Sequence, residues 1–341
     1  MAVPFVDSLT TNLDHSLPLT VGEFDEFGNA KDNKDHFDYI YSYAPYHNIK
    51  KMDYPNILIT TSLSDNRVLF DEPAKFTAKL LLYGYGSYGS SMSPSFSSTR
   101  ISLIDRDIIW VTSHIRGGME KGMKWWKEGK LLNKKNTFED YIASAKFLIE
   151  KKFTSKGNII GMGGSAGGLL MGAVVNQAPD LFLGIVMAVP FVDSLTTNLD
   201  HSLPLTVGEF DEFGNAKDKR EHFDYIFSYA PYNNIKKMDY PNILITTSLS
   251  DNRVLFDEPA KFTAKLRDYK TDNNLLLLKT EMNAGHGGKS GRDGAIEEIA
   301  VDYAFALKIA GKLNTWSWNI KINYHINFVS RLMGLSMNKL A

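Results

Sequence analysis

The chain has 341 residues, 43% of them hydrophobic and 23% charged, which is soluble globular composition with enough length to bury a core without disulfide or metal staples. Its 38 basic and 39 acidic residues leave a net charge of −1, which argues against a general nucleic-acid binder or a polybasic membrane binder. Cysteine is absent, which removes thiol catalysis and cysteine-based metal sites and fits a reducing, cytoplasmic compartment.

Residues 1–7 carry neither a basic region nor a long apolar stretch, so no secretory leader is expected, and no run of about 18 apolar residues predicts a membrane span. Residues 1–80 then recur as residues 187–266, with differences at Asn33/Lys219, Lys34/Arg220, Asp35/Glu221, Tyr41/Phe227 and His47/Asn233. The match stops where Leu81 faces Arg267. One long, nearly identical pair is a duplicated segment, because solenoid units are shorter and recur several times. The first copy carries a net charge of −5 and is expected to be cut off inside its last helix, at Lys79-Leu80. The second copy lies between a strand-like run and a continuing helix, and is expected to hold the place in the sheet.

Residues 108–113 read as a buried strand. A helix is predicted from Thr137, with Phe138, Tyr141, Ile142, Ala145, Leu148 and Ile149 on one face and Asn136 or Thr137 as its cap. Residues 158–162 predict a strand, followed by a Gly-rich turn and a helix over 166–177. Further strands are predicted over 184–189, 242–247 and 274–279. Helices are predicted from Glu258 and over 294–312, the latter with Ile296, Ile299, Ala300, Tyr303, Phe305, Leu307 and Ile309 toward its apolar side. Apolar strands alternating with amphipathic helices predict an α/β fold, with a doubly wound, mostly parallel sheet covered on both faces. Reactive groups in such sheets sit beyond the carboxyl ends of the strands. Residues 313–341 have three bases and no acids. They are expected to be an extra packed helix or a non-native extension, with a membrane-surface helix as the minor alternative.

Gly163-Gly164-Ser165-Ala166-Gly167 fits G-x-S-x-G between a predicted strand and a predicted helix, the setting of a nucleophile elbow. The same turn can be read as a phosphate cradle at a helix N-terminus. A serine nucleophile needs a base. Among the eight histidines, His286 stands in a Gly-rich loop just past the last predicted strand. His15/His201 and His36/His222 are repeat pairs, and His47 is replaced by Asn233. Asp251, just past the strand over 242–247, supplies the orienting acid, and Ser165, Asp251, His286 is the chain order of α/β-hydrolases. Asp65 is the duplicate of Asp251 and stands as decoy or alternative acid. No metal-ligand spacing occurs, and no cofactor is implied. Gly84, Gly86 and Gly89 fit a dinucleotide loop poorly, because tyrosines alternate with them and no amphipathic helix follows.

Six stretches in this order resemble the oligopeptidase B branch of the prolyl oligopeptidase family. They are Tyr83-Gly84-Tyr85-Gly86-Ser87-Tyr88-Gly89, His114-Ile115-Arg116-Gly117-Gly118, Lys135-Asn136-Thr137-Phe138, Gly163-Gly164-Ser165-Ala166-Gly167-Gly168, Pro190-Phe191-Val192-Asp193 and Gly285-His286-Gly287-Gly288-Lys289-Ser290-Gly291. The resemblance covers residues 82–312, and residues 1–80 through the duplicate. It implies an α/β-hydrolase domain that cleaves short peptides after Arg or Lys, with Ser165 as nucleophile, His286 as base and Asp251 as its partner. It also implies that Tyr85 and the backbone N–H of Ala166 form the oxyanion hole, that Arg253 holds a substrate carbonyl, and that Glu209 and Asp211 receive the basic P1 side chain. Without the resemblance, the acidic run around Glu209 reads as a solvated loop.

The family's β-propeller has no counterpart among these residues as a set of repeated short strands. Ser93 and Ser95 stand where the family carries acids that support a basic P2 residue, which removes the support for a dibasic preference. The chain thus divides into residues 1–81, a truncated near-duplicate of 187–267; residues 82–312, the catalytic domain; and the tail, 313–341. Three readings follow: an active serine oligopeptidase, an inactive rearranged remnant, or a protein that self-associates by swapping its repeat copies. The partners expected are short basic peptides, and either a separate propeller-bearing polypeptide or a second copy of the chain.

Overall fold

The computed structural model describes residues 4–17, 19–50, 79–93, 95–203 and 205–313. The chain divides into two compact units, one of Met1–Ala78 with Lys151–Thr154 and one of Lys79–Glu150 with Ser155–Ala341. In the first unit, helices α1 (Ser8–Leu13), α2 (Phe24–Phe27) and α3 (Lys34–Tyr43) accompany a small core of Leu9, Ala30, Ile40 and Ala44. Asn33 caps α3: its side chain accepts from the backbone N–H groups of Asp35 and His36.

The second unit is built on six strands: β1 (Lys79–Tyr83), β2 (Ile108–Thr112), β3 (Ile159–Gly164), β4 (Phe182–Ala188), β5 (Asn242–Ser248) and β6 (Leu276–Glu281). All pair in parallel, in the order β2-β1-β3-β4-β5-β6. Its helices are α4 (Ile101–Ile104), α5 (Met123–Lys127), α6 (Lys135–Glu150), α7 (Ala166–Gln177), α8 (Ser194–Leu199), α9 (Phe210–Phe213), α10 (Arg220–Phe227), α11 (Asp257–Tyr269) and α12 (Gly291–Ile309). The inner strands β1, β3, β4 and β5 are apolar and largely buried, as a sheet covered twice requires. The edge strands are partly exposed: β2, expected to be buried, leaves Ile109 in solvent, and β6 leaves Leu277 there. Leu80, Leu82, Ile159, Ile185 and Ile243 pack with Phe138 and Tyr141 of α6, Leu170 and Val174 of α7 and Phe262 of α11. On the other face Leu81, Ile160, Val186 and Leu244 pack with Leu103 of α4 and with Tyr303, Ala306 and Leu307 of α12. This is the α/β architecture expected from the alternation of strands and helices, and β5 comes from the second copy of the repeat.

Four local expectations change. Lys79 and Leu80 are strand, not the end of a helix. They run into Leu81-Leu82-Tyr83, and that apolar run fills the slot between β2 and β3, whereas their copies Lys265 and Leu266 run into Arg267-Asp268 and stay helical in α11. Helix α6 begins at Lys135, so neither Asn136 nor Thr137 caps it. Asn136 donates to the Glu128 carbonyl at 2.8 Å and Thr137 to the Arg116 carbonyl at 2.7 Å, so both side chains tie down neighbouring loops instead. Strand β6 and helix α12 are Leu276–Glu281 and Gly291–Ile309, offset from the expected bounds. Ile296, assigned to the apolar side of α12, is 48% exposed in its second turn. The tail expected over 313–341 lies outside the described residues from 314 onward.

Candidate active site

Ser165 sits between the end of β3 and the start of α7, at φ 57°. That left-handed backbone is costly for a residue with a Cβ and marks stored strain. The flanking glycines permit it. A Cβ on Gly163 would lie 2.4 Å from the Gly167 carbonyl oxygen, and one on Gly167 would lie 2.8 Å from the Gly84 carbonyl oxygen. The Ser165 backbone N–H donates to the Ala188 carbonyl at the end of β4, at 2.8 Å, which fixes the turn to the sheet. The next residue, Ala166, opens α7 and is buried, so its N–H lies at the positive end of that helix.

Asp251 follows β5 and His286 follows β6. The Ser165 Oγ and His286 Nε2 are 3.0 Å apart, and His286 Nδ1 and Asp251 Oδ2 are 2.8 Å apart. Asp251 is 4% exposed, and its other oxygen accepts from the backbone N–H groups of Arg253 at 2.8 Å and Val254 at 3.0 Å. The carboxylate is therefore held on one side by backbone and aimed at the imidazole on the other. Such a chain of hydrogen bonds orients the ring with Nε2 toward the hydroxyl, ready to take its proton. His114 is engaged elsewhere, with Nε2 2.9 Å from the Met92 carbonyl oxygen. Asp65 lies outside the described residues.

Tyr85 follows β1, and its ring packs against the core that contains Ala166. Burial raises the Tyr85 phenol above its usual range. Tyr83 and the carboxylates of Glu212 and Glu209 act in the same direction, and Arg253 opposes them. The hydroxyl thus stays protonated and able to donate. Arg253 itself is exposed.

Glu209 and Asp211 lie on the turn of α9. Glu209 Oε1 accepts from the Tyr88 hydroxyl at 2.9 Å, and burial raises its carboxyl above the usual range. Asp211 is exposed in the first turn of α9. The next acid, Glu212, is 3% exposed, which its sequence does not suggest, because an acidic run reads as solvated. It accepts from Trp126 Nε1 at 2.9 Å and from Lys134 Nζ at 3.0 Å. Lys134 is 1% exposed; its ammonium also donates to the Gly86 carbonyl at 2.9 Å and to Ser87 Oγ at 2.5 Å. Burial lowers the Lys134 ammonium below its usual range, and Glu212 opposes that shift. The one signal in the sequence was the neighbourhood of Lys134, just ahead of the Lys135-Asn136-Thr137-Phe138 stretch. Arg116 likewise grips Asp140 through two side-chain bonds of 2.8 and 2.6 Å, which pins the His114–Gly118 loop to α6. Among the described residues no group of three or more His, Cys, Asp or Glu is arranged to hold a metal ion.

The family described as the prolyl oligopeptidase family matches residues 1–88 and 94–313. Protease 2 of Moraxella lacunata is 52% identical over 234 residues, covering 69% of this chain and 34% of that protein. Dipeptidyl aminopeptidase BI of Pseudoxanthomonas mexicana is 48% identical, covering 69% of this chain and 32% of that protein. Among solved structures, oligopeptidase B from Leishmania major superposes with a TM-score of 0.68 at 46% identity, over 69% of this chain and 33% of that one. The chain thus spans about a third of the length of the relatives it matches. With a serine at a strained elbow, a histidine and an aspartate in hydrogen-bonded sequence, and matches of this length, the chain belongs to the prolyl oligopeptidase family.

Proposed function

We propose that the catalytic domain, expected over residues 82–312 and extended back to Lys79 by β1, is a serine oligopeptidase that hydrolyses short peptides after Arg or Lys. The observation that carries this is the continuous Ser165–His286–Asp251 hydrogen-bonded chain beyond the carboxyl ends of three parallel strands. Ser165 Oγ attacks the scissile carbonyl carbon while its proton passes to His286 Nε2. Asp251 stabilises the imidazolium that forms. The carbonyl oxygen becomes an oxyanion, received by the Ala166 N–H and the Tyr85 hydroxyl; donors of this kind contribute about 3–4 kcal/mol each to the transition state. The imidazolium gives its proton to the leaving amine as the C–N bond breaks, which leaves an acyl ester on Ser165. Water then attacks that ester, its proton moves to His286 and returns to Ser165 Oγ, and the acid is released.

Glu209 and Asp211 receive the cationic P1 side chain, since a guanidinium is best held by more than one carboxylate. Arg253, near enough to Tyr85 to bear on its phenol, holds a substrate carbonyl. Of the expected duplicate over 1–81, Lys79–Leu81 belong to β1 of the catalytic sheet; residues 1–78 lie outside the catalytic domain, and 313–341 are a tail. No helix among the described residues is long and apolar enough to cross a membrane, and the lack of cysteine supports a cytoplasmic location. Further partners are a propeller-bearing polypeptide or a second copy of the chain, distinguished by light scattering alone and in mixtures. The test of the activity is labelling by a fluorophosphonate together with hydrolysis of an arginine ester. Labelling that disappears in Ser165→Ala supports the reading. An unlabelled, folded wild type identifies an inactive remnant instead.

A further inference from the structure

Two elements must stand in register for a serine peptidase of this kind: the loop that carries the oxyanion donor Tyr85, and the turn that carries the P1 acid Glu209. They are far apart in sequence and belong to neither the same strand nor the same helix. Lys134 bridges them. Its ammonium donates to Gly86 and Ser87, the two residues after Tyr85, and to Glu212, three residues after Glu209. The ammonium also lies 5.2 Å from the ring centre of Phe213, next in sequence to Glu212. A parallel link runs at the rim, where Tyr88 of the same loop donates to Glu209 and sets its ring edge-on to Phe213 at 5.8 Å.

We infer that Lys134 is a positioning residue, a buried clamp that sets the Tyr85 loop and the Glu209 turn at a fixed separation, so that one ammonium governs both oxyanion stabilisation and basic P1 recognition. A buried ion pair is a poor means of gaining stability, because desolvation of both charges offsets their attraction. It is a good means of fixing geometry: three donors of one ammonium find three acceptors from two chain segments, and each bond is directional. The surroundings fit that role. Glu212 is held from its other side by Trp126, so the clamp is anchored and cannot slide. Lys134 touches neither the triad nor, by its burial, solvent.

The inference rests on the peptidase reading, and the test separates the two. Removing one charge leaves the other buried and unpaired, which is strongly destabilising. The variant of choice is therefore the double change Lys134→Met with Glu212→Gln, which keeps both volumes and the Trp126 acceptor. Thermal unfolding establishes that it folds, and kcat and KM are measured with p-nitrophenyl acetate and with benzoyl-arginine ethyl ester. The expected result is a kcat lower by about tenfold on both esters, as for a misplaced oxyanion donor, with KM raised for the arginine ester alone. A folded double variant with wild-type kcat, or with an unchanged ratio of kcat/KM between the esters, overturns the clamp. Should the double variant not fold, Ser87→Ala removes one bond of the clamp without stranding a charge. A severalfold fall in kcat on both esters then supports the clamp, and wild-type kcat overturns it. A wild type that shows no preference for the arginine ester defeats the P1 role of Glu209 and overturns that half of the clamp, while the kcat comparison still decides the oxyanion half. A folded wild type that hydrolyses neither ester overturns the peptidase reading and the clamp together.

Discussion

Asn12 and Asn198 occupy the same place in the two copies of the repeat, and each does the same work. The Asn12 amide donates to the Gly28 carbonyl at 2.8 Å and its carbonyl accepts from the Ala30 N–H at 2.7 Å. Asn198 does likewise with Gly214 and Ala216, at 2.8 and 2.7 Å. Thr20 and Thr206 both donate to a carbonyl nine residues back at 3.0 Å. His36 and His222 both accept, through Nδ1, from the N–H after a glycine at positive φ. Burial separates the copies. Phe213 is 3% exposed and Phe27 38%; Tyr229 is 2% exposed and Tyr43 43%. Glu212 is buried on Lys134 while Glu26 lies exposed. Identical residues therefore make identical short-range turns, and at these positions the second copy adds the long-range packing that buries Phe213, Tyr229 and Glu212. Lys79-Leu80 against Lys265-Leu266 is the sharpest instance, strand in one place and helix in the other.

The largest test of this contrast is truncation of the paired aromatics. Phe213→Ala and Tyr229→Ala should each destabilise the second unit by about 3–5 kcal/mol, as buried aromatic losses do, and Phe27→Ala and Tyr43→Ala the first by under about 1 kcal/mol. Urea unfolding followed by probes in each unit reads both, and equal losses in the two copies would break the contrast. Next comes Glu258, the copy of Glu72, which accepts from the Asp193 N–H and from Thr197 and whose carboxyl is pushed up to about 7 by burial. Its folded value lies above the unfolded one, so the folded state holds the proton more tightly. Its contribution is full below about pH 4.5 and is lost as pH rises through 7. Glu258→Gln should flatten that part of the stability profile, by roughly 3 kcal/mol at most across the window. An unchanged slope from pH 4.5 to 7 would remove Glu258 as its source.

A smaller effect separates the helices that begin at the first difference between the copies. Asn33 caps α3, whereas Lys219 gives α10 no side-chain cap, and α10 is shorter, 8 residues against 10. Asn33→Lys should cost about 1 kcal/mol of local stability and Lys219→Asn should gain a similar amount, read by hydrogen exchange in the first turns. The smallest effect is expected at the exposed ion pairs Lys34–Asp38 and Arg220–Asp224. Replacing either basic residue with alanine should leave the unfolding midpoint where it is, because solvent and salt screen both.

The parts of the molecule that were legible in the sequence are those set by short-range pattern. The strands, the helix over Ala166–Gln177 and the elbow at Ser165 follow from apolar runs and glycine spacing. Asp251 and His286 were legible because each falls in a polar loop just past such a run. Strand β1 was not, since Leu80-Leu81-Leu82 continues a segment whose other copy is helical, and only the slot between β2 and β3 decides the matter. Glu212 and Lys134 were not either: two charges meet in the interior across a sequence separation of 78, and charge in sequence reads as surface.

The claim at the centre is that the second copy, and not the first, supplies the acid of the catalytic triad. It is tested by the rate at which an arginine ester is hydrolysed by Asp251→Asn and by Asp65→Asn, each shown by circular dichroism to be folded. Asp251→Asn should lower kcat by about four orders of magnitude, as loss of the orienting carboxylate does elsewhere, and Asp65→Asn should leave it at the wild-type value. A wild-type rate in Asp251→Asn, with the loss falling on Asp65→Asn, would contradict the account.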